Sequence, residues 1–136
     1  METTTVRHDL DLTLVGPHVP VLVTAVLEYQ PRDPYAVTAV MLTTAGPVSW
    51  VFSRDLLDEG RVHEVGDGDD QLAPVRDDDG HSTVQLRLSS PDGVAVLEAA
   101  TDGVLEFLAR SYGLVPPGSE AAFIDMDGLV AALLAD

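Results

Sequence analysis

Two clusters of aspartates are the residues of this chain best suited to hold a metal ion. They are Asp67, Asp69 and Asp70 in one segment, and Asp77, Asp78 and Asp79 in the next. An EF-hand calcium loop would also need a glutamate at its twelfth position and a helix on each side. Aspartate and glycine are also the residues that tight turns require. The sequence therefore predicts solvated turns at 67–70 and 77–79, with calcium binding as the alternative, and assigns no metal site.

Motifs for catalysis are absent from the sequence. The four histidines, at positions 8, 18, 63 and 81, have no short metal-binding spacing, and no serine lies in a G-x-S-x-G elbow. Neither glycine-rich nucleotide motif is present. The chain contains no lysine and no cysteine, which excludes a Schiff-base lysine, a thiolate ligand and a disulfide. We predict no catalytic residue, no cofactor and no enzyme activity, with an enzyme or small-ligand binder as the alternative.

Two large aromatic residues, Trp50 and Phe52, alternate along one predicted strand and share a face. They are candidates for a binding platform. Burial of large aromatics also stabilises small cores, and this second interpretation is the one we adopt. Partner-binding residues are not identified by any motif.

The charge balance restricts the class of partner. The 136 residues include 23 acidic and 7 basic residues, all arginine, for a net charge of -16. A chain of this length is the size of one domain, here 1–136. DNA-binding proteins gain affinity from clustered basic residues, so nucleic acid is disfavoured. The excess of acidic residues either keeps the protein soluble or attracts a partner protein with a basic surface.

The N-terminus carries no basic region followed by an apolar one, so it does not resemble a signal peptide. The apolar runs are far shorter than the roughly 18 residues that a membrane-spanning helix needs. We therefore predict a cytoplasmic protein without a membrane span.

Hydrophobic patterning predicts the elements that must position these residues. Period-two alternation and turn residues indicate four strands, a short helix and four more strands. The strands fall at 6–14, 21–29, 35–44, 48–53, 61–65, 71–76, 83–88 and 94–98, the last with an early helix turn as the alternative. Proline at 74 indicates that the sixth is an edge or bulged strand. Short connections favour two meanders.

Three helices are expected. The first spans 53–60, with Ser53 as its N-cap and Gly60 as a left-handed stop. The second carries the apolar stripe Val104, Phe107, Leu108 and Tyr112, is capped by Thr101 or Asp102 and stops at Gly113. The third begins at Asp125 and carries Leu129, Val130, Leu133 and Leu134. Segregated helices and strands indicate an α+β fold.

Several segments together resemble the SsgA-like proteins of sporulating actinobacteria, collinearly from about residue 4 to the C-terminus. They are Asp33-Pro34-Tyr35-Ala36-Val37, Trp50-Val51-Phe52-Ser53-Arg54-Asp55-Leu56-Leu57-Asp58-Glu59-Gly60, Leu88-Ser89-Ser90-Pro91-Asp92-Gly93 with Leu97-Glu98-Ala99, and Val115-Pro116-Pro117-Gly118-Ser119-Glu120. Each segment alone is a weak signal, whereas their common order is specific.

The resemblance implies a fold and a role. The fold would be two four-stranded antiparallel sheets with helices, like the Whirly and guide-RNA-binding proteins, assembled as a homotrimer. The role would be non-enzymatic control of sporulation-specific septation by a protein-binding adaptor, acting on the tubulin-like division protein FtsZ, its partners or another SsgA-like protein, at division septa. Single-stranded nucleic-acid binding, by analogy of fold, is the alternative.

One segment departs from the family pattern. Relatives tend to carry Gly-Asp followed by apolar and basic residues and Trp-Pro, whereas Gly68-Asp69 is followed here by Asp70-Gln71-Leu72-Ala73-Pro74. If this hairpin meets a partner in relatives, the preferred partner differs here. The sequence leaves open which paralogue this chain represents.

Overall fold

The computed structural model describes residues 5–16, 19–124 and 133–135. Within these ranges lie eight strands, two α-helices and a 3-10 helix over Glu120–Phe123. The strands are β1 (Val6–Val15), β2 (Val21–Tyr29), β3 (Ala36–Thr43), β4 (Gly46–Ser53), β5 (Val65–Asp67), β6 (Asp70–Arg76), β7 (Ser82–Ser90) and β8 (Gly93–Ala100). The helices are α1 (Arg54–Gly60) and α2 (Thr101–Leu114). The predicted α+β class and the order of strands and helices are confirmed to this point.

The strands form one antiparallel sheet in the order β4-β3-β2-β1-β8-β7-β6-β5. The expectation of two separate four-stranded sheets is therefore wrong, although each half is the predicted meander. The halves are joined because the last residues of β1 pair with β8, from Leu12↔Ala99 to Val15↔Val96. The pairing does not extend beyond Leu12↔Ala99 because β8 ends at Ala100 and the chain continues into α2 at Thr101.

One face of this sheet forms the core. Alternate residues of each long strand are buried, as the period-two pattern predicts. Examples are Leu10 and Leu12 in β1, Val37, Ala39 and Met41 in β3, and Val84, Leu86 and Leu88 in β7. Helix α2 adds Val104, Phe107 and Leu108 to the same core. Complete burial of a side chain such as Phe107 contributes about 1.5–3 kcal/mol.

The sheet curls around this core, so strands far apart in its order come close together. The indole Nε1 of Trp50 in β4 donates a hydrogen bond of 2.6 Å to Asp70 in β6. Helix α1 contacts β4, β5 and β6 and so lies across the gap between the two halves. Helix α2 packs on β1, β7 and β8 near the end where β8 stops. The helices thus cover one end of the curled sheet, and the turns at 44–45 and 91–92 surround the other.

The ends of the helices differ in part from the predictions. Ser53 is the N-cap of α1, because its Oγ accepts the N–H of Leu56 at 2.9 Å. Gly60 is not a left-handed stop. It is the last residue of the helix, where a Cβ would collide with Leu72. Neither Thr101 nor Asp102 caps α2, because the N-cap position is Ala100, and the hydroxyl of Thr101 is hydrogen-bonded to that of Ser82 at 2.8 Å. The helix also passes through Gly113 and ends at Leu114.

The predicted strand over 61–65 is also wrong. The chain continues from α1 in a turn, because the N–H groups of Val62 and His63 bond to the carbonyl of Glu59. The strand begins only at Val65 and covers three residues. The prediction that the sixth strand is an edge or bulged strand holds only in part: β5 is the edge strand of the sheet, but it pairs with β6 only as far as Leu72, so Pro74 lies beyond that pairing. The helix expected from Asp125 falls on residues outside the described ranges, apart from its last two leucines.

Candidate functional site

The turn at 77–81 brings together Asp77, Asp79 and His81, whose possible ligand atoms lie within 4.8 Å of one another. All three side chains are exposed. The carboxylate of Asp77 already accepts the backbone N–H groups of Asp79 at 3.0 Å and His81 at 2.8 Å. The backbone bond from His81 is the main cause of a lowered pKa for Asp77. The contacts are those of a tight turn, which is the interpretation adopted from the sequence.

The second acidic segment, 67–70, forms the turn between β5 and β6. Gly68 has a φ of +63°, which favours glycine in this turn. The backbone carbonyl of Asp69 accepts the N–H of Ser89 at 3.0 Å. Asp70 accepts the indole hydrogen bond from Trp50. This acidic turn therefore lies beside the aromatic residue that the sequence singled out.

The described histidines lie on separate elements. His8 is half-buried in β1, with its ring centroid 6.3 Å from that of Phe107 and its Nδ1 3.2 Å from Arg110. His63 follows α1, and its Nδ1 lies 3.2 Å from the carbonyl of Glu64. His81 belongs to the exposed turn just described. His18 lies outside the described residues.

The most constrained polar group is the side chain of Arg54, which is 1% exposed. Its guanidinium donates to Glu120 at 2.9 Å and to the carbonyl of Val115 at 2.8 Å. It also lies 4.7 Å from the ring centroids of both Tyr29 and Tyr112. A buried charge needs such pairing, because its transfer from water is costly.

The surroundings of Arg54 shift the ionisation of its neighbours. The hydrogen bond from Arg54 is the main cause of a lowered pKa for Glu120. Burial raises the pKa of Tyr29 and of Tyr112, although the positive charge of Arg54 acts in the opposite direction. Glu120 is therefore held as a carboxylate and both tyrosines as phenols around a permanent cation.

Three of the segments that carry the family resemblance meet at this arginine. The backbone N–H of Arg54 donates to the carbonyl of Tyr35 at 2.8 Å, and the hydroxyl of Tyr29 donates to the backbone carbonyl of Pro34 at 2.9 Å. The segment 115–120 supplies Val115 and Glu120. Most donors of the guanidinium are engaged, so the cluster stabilises the fold and leaves little capacity for a ligand.

Sequence reasoning did not identify the role of Arg54, although a signal exists. Arg54 follows Phe52 by two residues and Trp50 by four, and the side chains of Trp50 and Phe52 point to the inside of the curled sheet. Period two therefore places Arg54 inside as well. The predicted burial of Phe52 is confirmed, whereas Trp50 is only half-buried.

A cleft of about 390 Å³ opens at the end of the curled sheet that the helices do not cover. It is lined from both halves of the sheet, by Leu14, Val23, Met41, Thr43, Val48, Trp50, Leu88, Ser90, Asp92, Gly93, Val94, Ala95 and Leu97. Most of these side chains are apolar. Val48 and Val94 are exposed at its mouth, and Trp50 forms part of its wall.

A second apolar surface lies on the opposite face of the sheet, which we call the outer strip: Leu22, Val26, Val40, Leu42 and Val51. These residues face outward on three adjacent strands, as shown by the pairs Val26↔Val40, Thr24↔Leu42 and Thr38↔Val51. Leu22 is 67% exposed, Leu42 52% and Val51 58%. The residues between them are the uncharged Thr24, Thr38 and Ser49. Large apolar side chains grouped on a surface indicate an interaction site.

Among the described residues, no helix is both long and apolar enough to cross a membrane.

Comparison with protein families matches residues 23–120 to the family described as "Streptomyces sporulation and cell division protein, SsgA". The chain is 49% identical over 123 residues to the sporulation-specific cell division protein SsgB of Kineococcus radiotolerans, covering 90% of this chain and 73% of the relative. It is 43% identical over 135 residues to SsgB of Streptomyces coelicolor, covering 98% of each.

Two solved structures have the same fold. One is SsgB of Streptomyces coelicolor, in which mutations correlate to longitudinal cell division during sporulation. It has a TM-score of 0.84 and 42% identity, covering 90% of this chain and 97% of that one. The other is an SsgA-like sporulation-specific cell division protein from Thermobifida fusca. It has a TM-score of 0.87 and 38% identity, covering 97% of each.

Proposed function

Because this chain belongs to the SsgA family of sporulation and cell division proteins, we propose that it is a non-enzymatic adaptor in sporulation-specific division. It binds proteins of the septation machinery, FtsZ or a partner of FtsZ, and helps to localise or control them. It acts in the cytoplasm and is recruited to division septa. The observation that carries the proposal is the outer strip, an uncharged apolar surface on a chain with a net charge of -16.

The outer strip suits a protein partner for two reasons. Burial of its exposed leucine and valine side chains contributes roughly 25 cal/mol per Å² of apolar surface. It also offers no charge for recognition of a phosphate backbone, and the acidic remainder of the surface repels one. Protein binding is therefore favoured over the single-stranded nucleic-acid binding that similarity to Whirly folds would imply.

Localisation of a fluorescent fusion in sporulating hyphae tests the role. We expect foci at future septa that disperse when FtsZ is depleted. Diffuse fluorescence throughout septation would contradict the adaptor role. Retarded migration of single-stranded DNA at physiological salt would favour the nucleic-acid alternative instead.

Substitution in the outer strip tests the surface. Leu42→Glu places a charge at its centre, and we expect it to abolish recovery of purified FtsZ-containing complexes and the foci of the fusion. The matched control is Val62→Glu, which adds the same charge at a side chain that is 61% exposed in the turn after α1. Equal loss in both variants would show that added charge, and not the outer strip, is responsible.

We also propose that the protein forms a homotrimer. Light scattering of the wild type at micromolar concentration is expected to give three times the mass of the chain. A monomer under these conditions would refute the trimer and leave the adaptor role intact.

A further inference from the structure

The cleft at the open end of the curled sheet has the properties of a specific binding site. Its volume of about 390 Å³ lies within the usual range of 300–1,000 Å³ for ligand sites. Its walls come from strands β1, β2, β3, β4, β7 and β8, so hydrogen bonds of the sheet hold them in place. A pre-formed apolar surface of this kind binds with little cost of ordering.

The charge beside the cleft restricts what can enter it. Asp92 lines the cleft, and Asp70 accepts the hydrogen bond of the Trp50 side chain in its wall. The backbone carbonyl of Asp69 accepts the N–H of Ser89, the residue before Ser90 of the lining. The part of the chain that the structure describes contributes no arginine to the lining. Like charges repel an anionic ligand such as a fatty acid, and opposite charges attract a cationic one.

The form of the cleft favours a protein segment over a free small molecule. It opens to solvent along the mouth formed by Val48 and Val94, which are 45% and 54% exposed. Small ligands usually have 70–90% of their surface buried, whereas the exposed mouth of this cleft leaves one side of an occupant in contact with solvent. A peptide leaves the rest of its chain outside, where its basic side chains can approach the aspartates.

We propose that this cleft binds large apolar side chains of a partner protein segment that carries arginine or lysine beside them. The inference rests on the proposed function, because it assumes that the molecule acts by binding proteins. It adds a second binding surface, separate from the outer strip, whose partner segment is apolar and basic. Trp50 is the single tryptophan of the chain and stands in the wall, so its fluorescence reports occupancy directly.

Selection from a random dodecapeptide library against the full chain tests the proposal. We expect the enriched peptides to combine two or more large apolar residues with a net positive charge, and the synthetic form of the best one to shift Trp50 fluorescence saturably. Replacement of its basic residues by glutamate should weaken binding more than about tenfold, equivalent to 1.4 kcal/mol. Enrichment of neutral or acidic peptides, or no enrichment, would overturn the proposal.

Variants separate the cleft from other surfaces. Ala95→Phe places a ring in the cleft and should abolish binding. Because that change could disturb packing, the exposed pair Asp69→Asn and Asp92→Asn provides a second test, with affinity for the basic peptide expected to fall about threefold to tenfold. The matched control is Asp78→Asn with Asp79→Asn, which removes the same charge from the other turn and should leave binding unchanged. Equal loss in both pairs would overturn the assignment of the site.

Two further experiments test whether a different molecule occupies the cleft. Saturable binding of decanoate to the cleft without binding of the basic peptide would show a small apolar ligand and overturn the proposal. Self-association that Ala95→Phe abolishes would show that a second copy fills the cleft, with the same consequence. Failure of septal localisation with peptide binding intact would instead remove the proposed function and leave the site.

Discussion

Arg54 illustrates how one buried charge can determine the arrangement of three segments. Its guanidinium joins the end of β4 to the end of α2 and to Glu120. The turn that returns the chain to it contains Gly118 at a φ of +87°, a conformation that favours glycine. Its Nε has no hydrogen-bond partner among the described residues, so the pairing of the charge depends on the bonds of the other two nitrogens to Val115 and Glu120.

Replacement of Arg54 by methionine should therefore destabilise the fold strongly. The carbonyl of Val115 would lose its buried donor, which alone costs about 1–3 kcal/mol, and Glu120 would lose its counter-charge. Urea denaturation followed by Trp50 fluorescence measures the change. Arg61→Met is the matched control, because Arg61 pairs with Asp58 at a partly exposed site and should cost less than about 1 kcal/mol. Equal losses would contradict the central role of Arg54.

The same pair predicts a dependence of stability on pH. The folded pKa of Glu120 lies below its ordinary value of 4.5, so its contribution is complete above pH 4.5 and is lost as the pH falls through the folded pKa. Glu120→Gln lacks this linkage. The difference in free energy of unfolding between wild type and variant should therefore shrink on acidification from pH 5 to pH 3. A constant difference for Glu120→Gln would contradict the pairing.

At the scale of elements, the close approach of α1 to β6 depends on the missing side chain of Gly60. A methyl group there would collide with Leu72, which is 1% exposed, so Gly60→Ala should cost about 1–3 kcal/mol through overpacking. Gly113 in α2 has open space around it, and Gly113→Ala should stabilise by about 0.5–1 kcal/mol because alanine favours the helix. Thermal denaturation of both variants checks the opposite signs. A stabilising Gly60→Ala would show that α1 can move away from the sheet.

The local patterns in the sequence predicted these elements better than their junctions. Alternation identified the long strands, and Ser53 identified the start of α1, because each depends on residues close in sequence. The left-handed stop predicted at Gly60 and the helix end predicted at Gly113 are wrong. Gly60 is needed for its small size beside Leu72, and Gly113 is an ordinary residue of α2. The pairing of β1 with β8 joins residues more than 80 positions apart, which no local pattern encodes. The cleft depends on the curl that follows from that pairing.

At the scale of the whole molecule, the two apolar surfaces lie within a strongly negative field. Several of the seven arginines are already engaged: Arg54 is buried, Arg7 pairs with Glu28 at 3.1 Å and Arg61 with Asp58 at 2.8 Å. The charge that a partner meets is therefore mainly negative. Repulsion between copies opposes self-association, whereas attraction favours a basic segment.

Salt should consequently change the two associations in opposite directions. Screening over about 10 Å at 0.1 M and about 3 Å at 1 M weakens both repulsion and attraction between exposed charges. The proposed homotrimer should thus become tighter from 50 mM to 500 mM NaCl by about tenfold, whereas binding of the basic peptide to the cleft should become weaker by a similar factor. Sedimentation equilibrium measures the first and Trp50 fluorescence the second. Leu42→Glu should keep the peptide response at each salt concentration, because the outer strip and the cleft lie on opposite faces of the sheet. If both associations respond to salt with the same sign, one interface is not governed by the acidic surface in the way proposed.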